Sequence, residues 1–402
     1  MVTIKYTEGS FSCLNNKLNP KIWFVLSNLL VVFLGIGLIV PVMPTIMREM
    51  GLDGKTMGYL VAAFSLTQLL ISPIAGKWVD RFGRKRMIVI GMFIFGLSEL
   101  LFAVGHVVEL LYLSRFIGGI SAAFVMPAIT AYVADVTDIK QRPRAMGYVS
   151  AAINTGFILG PGIGGFLAEI NIRAPFFTAA LLGFIGTVFS ILFLKEPERE
   201  QVQSEKPIKT EATSLKILLQ PIFFIPFLII FISSFGLSAY ETIYGLFLDR
   251  QFQFTAKDIA ILLILSGVLG TVFQVFLFDG LTRKLGEINL IRVCIFVAAI
   301  MMVFMMNVSS FISILLVTLM VFLTFDLIRP ALTTYLSKVA GQQQGYISGL
   351  NSSFTSVGNI VGPIIAGALF DYQAYSPYVF SLAVLLISLV IAMFWRQPKK
   401  LL

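Results

Sequence analysis

Twelve apolar stretches of membrane-spanning length follow one another along this chain, near residues 22–45, 57–78, 87–105, 110–134, 146–169, 175–194, 219–248, 256–279, 288–308, 311–336, 345–369 and 377–395. About 20 apolar residues suffice to cross a hydrocarbon core. A backbone in lipid must satisfy its own hydrogen bonds, so each stretch is predicted to be a helix. Composition agrees: 13% of the residues are charged, against about 25% in a soluble domain. The expected fold class is an all-α membrane protein with twelve transmembrane helices.

No small-residue cleavage site follows the first run, so it reads as a span rather than a signal peptide. An even number of spans puts both chain ends on one side. Of the 30 Lys and Arg, 23 fall on that side and five on the other (Arg48, Lys55, Arg173, Arg250 and Lys257), while Arg115 and Arg329 lie inside spans. The positive-inside rule therefore predicts cytoplasmic N- and C-termini. The net charge of +9 is then topology, and no nucleic-acid partner is expected. His106 is the single histidine, and the two cysteines are Cys13 and Cys294. Neither a metal site nor a disulfide framework is expected. The chain has no nucleophile motif, H-E-x-x-H or phosphate loop, so neither an enzyme nor a cofactor is expected.

The longest polar segment, KEPEREQVQSEKPIKTEATSLKI at 195–217, has mixed charge and no apolar period, as a linker does. It divides the chain into a lead (1–21), a six-span half (22–194), the linker, a second six-span half (218–395) and a tail (396–402). The halves repeat each other. GFILGPGIGG at 156–165 returns as GNIVGPIIAG at 358–367, with Gly147 on Gly349 in the same frame. MPAITAYVAD at 126–135 returns as RPALTTYLSK at 329–338, and FLGIGL at 33–38 loosely matches ISSFGL at 232–237. Two parallel, pseudo-symmetric six-helix halves would enclose a path near the membrane midplane.

The run at 156–165 is the least helix-like stretch of any span, since Gly costs about 1 and Pro about 3 kcal/mol in a helix relative to Ala. Gly156, Gly160 and Gly164 are four apart and share one helix face, where small residues let backbones approach. Pro161 removes a donor and can bend the helix. Two readings follow: a smooth face on which the halves meet and slide, or a static packing seam.

Gly156 through Gly165 resembles the fifth-span antiporter signature of major facilitator drug exporters, with Gly156, Gly160, Pro161, Gly164 and Gly165 in place. GKWVDRFGRKR at 76–86 resembles that family's loop between spans two and three, carried by Gly76, Asp80, Arg81, Gly83, Arg84 and Lys85. There Asp80 can pair with a neighbouring helix end or an Arg. The second-half counterpart, DGLTRKLGE at 279–287, departs from it: Arg283 replaces Asp80 while Gly286 matches Gly83. LGIGLIVPVMP (34–44) and YLSRFIGG (112–119) resemble first- and fourth-span motifs. Together with VAAFSLTQ, NTGFILGPGIGGF, SFGLSAYET and FDLIRPALT, they make the chain similar to the NorA-like multidrug (quinolone) efflux branch of twelve-span drug:proton antiporters.

Four ionisable residues lie deep in predicted spans: Arg115, Glu241, Asp326 and Arg329. Each costs at least about 2.5–3.5 kcal/mol at mid-bilayer, and such residues usually face a functional interior. A carboxyl favours its neutral form when occluded and its charged form in water, which suits a proton carrier. Asp326 and Arg329 share a helix face and could instead be a structural ion pair. The resemblance implies that Glu241 and Asp326 couple protons, with Arg115 and Arg329 in a charge network. It maps a substrate cavity onto Phe33, Phe64, Gln68, Asn154, Phe157, Phe322 and Phe325, rings suited to bulky cations. Glu99 reads as structural. The implied function is proton-coupled export of amphipathic cationic or zwitterionic drugs and dyes by a monomer in the lipid of a bacterial plasma membrane. The alternative is export of one endogenous metabolite such as a sugar or siderophore.

Overall fold

The computed structural model describes residues 20–138, 141–197, 221–340 and 344–395. Residues 1–19 of the lead, with Cys13, most of the 195–217 linker and the tail lie outside them, while Pro20 and Lys21 already belong to the first helix. Twelve helices make up the regular structure of the described residues: α1 Pro20–Ile39, α2 Met43–Glu49, α3 Gly54–Phe82, α4 Arg84–Val104, α5 Val108–Asp135, α6 Arg142–Ile170, α7 Ala174–Phe193, α8 Pro221–Phe252, α9 Ala256–Met305, α10 Phe311–Ala340, α11 Gln344–Tyr372 and α12 Ser376–Phe394. Eleven are long and apolar enough to cross a membrane.

The twelfth span is contained in α9. Its 50 residues form two limbs that meet at Gly286, whose φ of 74° is non-helical. A left-handed φ of this kind is open to Gly and strained for most other residues. Gly83, with φ 99°, makes the corresponding break between α3 and α4. The first span is shorter than the expected 22–45. Helix α1 stops at Ile39, because Pro41 disfavours helix in the residue before it. Helix α2 then restarts with Pro44 in its first turn, where a missing N–H is harmless. The six spans from α1 to α7 form one half and the six from α8 to α12 the other. Large apolar side chains such as Phe276 and Leu192 point outward, toward lipid.

Neighbouring glycines of α6 look two ways. A Cβ on Gly156 would stand 2.8 Å from the Leu34 nitrogen, and one on Gly160 2.7 Å from the Leu34 carbonyl oxygen, so this face lies on α1 of its own half. Gly164 continues the seam against Leu38. The four-residue glycine face is therefore static packing, not the sliding surface between halves. The residues off that face reach the other half: Gly162 abuts Ile264, and Gly165 abuts Ala256 and Ala260 at the start of α9. One residue rotates a helix by about 100°, which is why Gly164 and Gly165 have different neighbours. Helix α11 repeats the scheme. Gly358 and Gly362 lie on α8, while Gly367 and Pro363 meet Gly54 and Gly58 of α3.

These contacts between the halves all sit at the face opposite the chain ends. Polar contacts join them there. Arg48 pairs with Asp249, Lys257 pairs with Glu169 at 3.0 Å, and Asp371 accepts from the Gly54 and Lys55 N–H groups at 2.6 and 2.9 Å. Asp53 caps α3 locally, and its bonds from the Thr56 side chain and N–H hold its carboxyl below the usual range. Toward the end face that carries the termini, Gly76, Gly147, Gly280 and Gly349 have open space where a Cβ would be. The first face is closed, and the second, where these glycines have free space, is the more open one.

The two glycine faces are separable by mutation. Gly160→Val is expected to lower the melting temperature in detergent, since overpacking costs about 1–3 kcal/mol. Gly165→Val, at the contact between halves, is expected to lower it less. Equal losses would contradict the assignment of the two faces.

Candidate functional site

Three charges face the opening from the second half. Glu241 on α8 and Asp326 and Arg329 on α10 are exposed, whereas Tyr240, Ile243, Phe325, Leu327 and Ile328 beside them are buried. The reason is local. The Thr318 hydroxyl donates to the Tyr244 oxygen at 2.9 Å and lies 3.1 Å from that of Tyr240. This hydrogen-bonded cluster turns the tyrosine side of α8 into the core and leaves Glu241 on the other side. Exposed charge at mid-span is too costly to face lipid, so these groups line the water-accessible space between the halves.

Glu241 is within electrostatic reach of both Asp326 and Arg329. Arg329 acts on Asp326 through space, without a salt-bridge contact. The ion-pair reading of their i, i+3 spacing is not realised in this conformation, because both side chains extend into the opening. The Gln274 amide donates to the Asp326 carbonyl at 2.8 Å, fixing the first limb of α9 beside this acid.

The first half offers rings. Phe33 and Phe157 meet edge to face with centroids 5.0 Å apart. Phe157 and Asn154 are exposed and Phe33 is half-buried. Phe64 and Gln68 are half-buried, with the Phe64 ring and the backbone of both residues against Gly118 and Gly119 of α5. Phe322 is half-buried and edge-on to Tyr240 at 5.9 Å. Phe325 departs from its expected place. It is 4% exposed, with its ring toward Gly236 of α8, so in this conformation it braces two helices instead of lining the cavity.

Arg115 also has a different setting from the one expected. Its guanidinium lies 4.5 Å from the centre of the Phe102 ring and 3.5 Å from Glu99 Oε1. Glu99 is 3% exposed, and its Oε2 and Arg115 Nε have no hydrogen-bond partner. The charge is neutralised within the first half, by an acid that sequence reasoning set aside. Its signal was available: Glu99 is the one acid of the third span, and the turn between spans three and four brings it level with Arg115.

At the open face, Arg84 pairs with Asp135 at 2.7 Å and with Asp80 at 3.2 Å. Glu196 accepts from the Arg84 and Lys85 N–H groups at 2.6 and 3.0 Å, capping α4 just after the positive-φ Gly83. Lys85 reaches the Ile191 carbonyl, and Arg81 lies over Phe82. The loop at 279–287, which looked degenerate, holds a reversed copy. Asp80, Arg84 and Asp135 correspond, 203 residues on, to Arg283, Glu287 and Lys338, and Glu287 pairs with Lys338. Every sign is inverted and the second pair survives, with Glu287 buried and Lys338 exposed.

The Major Facilitator Superfamily profile matches residues 25–353. The chain belongs to this superfamily. It is 52% identical over 385 residues to Multidrug resistance protein 1 of Bacillus subtilis (strain 168), covering 96% of this chain and 98% of that one. It is 40% identical over 382 residues to the Quinolone resistance protein NorA of Staphylococcus aureus, covering 95% and 98%. Among solved structures, a bacterial homologue of the human lysosomal transporter Spinster, in an inward-facing and occupied conformation, aligns with TM-score 0.78 at 16% identity over 92% of this chain and 95% of that one. The nucleoside transporter NupG aligns with TM-score 0.73 at 16% identity over 94% and 98%. The chain is thus a multi-pass membrane transporter of small molecules with the major facilitator fold.

Within this transporter the Glu99–Arg115 pair is the most deeply buried charge pair near the site. Glu99→Gln strands the guanidinium, and breaking a buried pair costs about 3–5 kcal/mol. Lower folded yield and melting temperature are expected for Glu99→Gln, and little change for Asp326→Asn, whose side chain is exposed. The opposite ranking in detergent melts would contradict this reading.

Proposed function

We propose that this transporter is a proton-coupled multidrug efflux antiporter of the bacterial plasma membrane. It exports amphipathic cations and zwitterions (fluoroquinolones, dyes and quaternary ammonium compounds) by alternating access, as a monomer in membrane lipid. The observation that carries the reading is the pair of walls: two carboxyls and one guanidinium on the second half, aromatic rings on the first. Aromatic faces attract large flat cations, and a carboxylate opposite them supplies the counter-charge. The names of the B. subtilis and S. aureus relatives point the same way.

By the distribution of basic residues, the open face is cytoplasmic. An amphipathic cation enters from that side and lies between the Phe33–Phe157 rings and the ionised Glu241 and Asp326. Closing the cytoplasmic face and opening the other carries it across. Outside, protons taken up by the carboxyls remove their charge and the cation leaves. The protonated protein returns and releases those protons inside. No step requires ATP, for which the chain has no binding signature. Arg329 limits how much negative charge the wall accumulates, which keeps zwitterions among the substrates. One chain contains both walls, so a second copy is not needed to complete the path.

Export of ethidium from proteoliposomes under an imposed pH gradient tests this. Glu241→Gln and Asp326→Asn keep shape but cannot titrate, and each is expected to reduce gradient-driven export to background. Binding of cations is expected to survive at reduced strength. Undiminished export by the double variant, or export by the wild type that ignores a protonophore, would overturn the reading.

A further inference from the structure

The closed face is built from two corners related by the internal repeat, and they are not equivalent. At one, α6 of the first half meets the start of α9. At the other, α11 of the second half meets the start of α3. Glu169 and Asp371 occupy matching positions 202 residues apart, as do Lys257 and Lys55.

A helix leaves its first N–H groups without partners. Helix α9 deals with this locally: Thr255 and Asp258 form a complete capping box. Glu169 is left with only the Lys257 ammonium, and both side chains are well exposed at 52% and 39%. Exposed pairs of this kind contribute little. Helix α3 is different. Asp53 takes the Thr56 N–H, and the Gly54 and Lys55 N–H groups donate across the boundary to Asp371 Oδ1 and Oδ2. Both carboxylate oxygens are engaged, at the positive end of the helix dipole. The reach depends on a backbone contact, because a Cβ on Gly54 would be 2.9 Å from the Gly367 carbonyl oxygen and 2.8 Å from Asp371 Oδ1.

We propose that Asp371 is the latch of the closed face, a positioning residue that sets the balance between closed and open by completing the N-terminus of α3 from the other half. Its twin at Glu169 is an auxiliary contact. Opening the face for release must also part Arg48 from Asp249, a contact with no counterpart in the repeat. Of the two repeat-related corners, one holds two charge-assisted hydrogen bonds and the other only a solvated ion pair, so the Asp371 corner weighs more in the step. This inference rests on the alternating-access reading above but is read out without substrate or gradient.

The test is a distance measurement on the full chain in lipid nanodiscs. Spin labels go on cysteines replacing the exposed Glu49 and Gln373, one in each half, after Cys13→Ser and Cys294→Ser. With Asp371 intact, the short distance is expected to dominate. Asp371→Asn removes the charge and one acceptor and is expected to raise the long-to-short population ratio roughly tenfold, the scale of hydrogen bonds to a charged group. Gly367→Val, which forces Gly54 away without touching the carboxylate, is expected to act in the same direction. Lys257→Gln is expected to move the ratio far less. Unchanged distances in folded Asp371→Asn and Gly367→Val would overturn the latch, as would an equal response to Lys257→Gln. If Asp371→Asn does not fold, Gly367→Val decides the question. Lost export with normal latch behaviour would instead count against the drug:proton reading alone.

Discussion

The backbone contacts made by α6 and α11 are the constraint on which the rest of this transporter depends. In lipid there is no hydrophobic drive to press one apolar helix on another, so close approach of small residues takes its place. The Gly156–Gly160–Gly164 face ties α6 to α1, and the Gly358–Gly362 face ties α11 to α8, making each half a packed unit. The residue after each seam, Gly165 or Pro363, is turned toward the other half. The same two helices thus hold each half rigid and form the boundary along which the halves separate. A larger side chain on either face would change a different property.

The charged wall follows from a second local arrangement. The Tyr240–Thr318–Tyr244 cluster buries one side of α8, so Glu241 has no choice of direction. Charges that serve the scaffold are paired, as Arg115 is with Glu99, Arg84 with Asp135 and Glu287 with Lys338. Glu241, Asp326 and Arg329 are instead left in the opening without such a contact. Separation of paired from unpaired charge marks the site more clearly than depth in a span does.

Much of this was legible in the sequence. Lipid permits one solution to a run of about 20 apolar residues, so the spans, their number and their pairing into halves could be read directly. The acids stood out because mid-span charge is costly. What could not be read was the direction in which a residue looks. Helical spacing gives the angle between Gly164 and Gly165 but not which neighbour each meets, so spacing alone leaves the sliding face and the static seam equally open. Phe325 was one ring among many, and burial against Gly236 leaves no trace in spacing. The reversed triad of Arg283, Glu287 and Lys338 was within reach, since all three positions obey one offset. A single-residue comparison at Arg283 hid it. Asp371 lies just beyond the repeated glycine motif, and its partners are backbone groups, which sequence does not distinguish.

The central claim is that drug cation and proton exchange at one wall. The most direct measurement is proton release when ethidium binds to the purified transporter in lightly buffered solution near neutral pH, followed with a pH indicator and no gradient present. The account predicts that binding releases protons from the wild type, and that the Glu241→Gln and Asp326→Asn double variant releases none. Saturable ethidium binding by the wild type with no proton release, across the range in which carboxyls titrate, would contradict it.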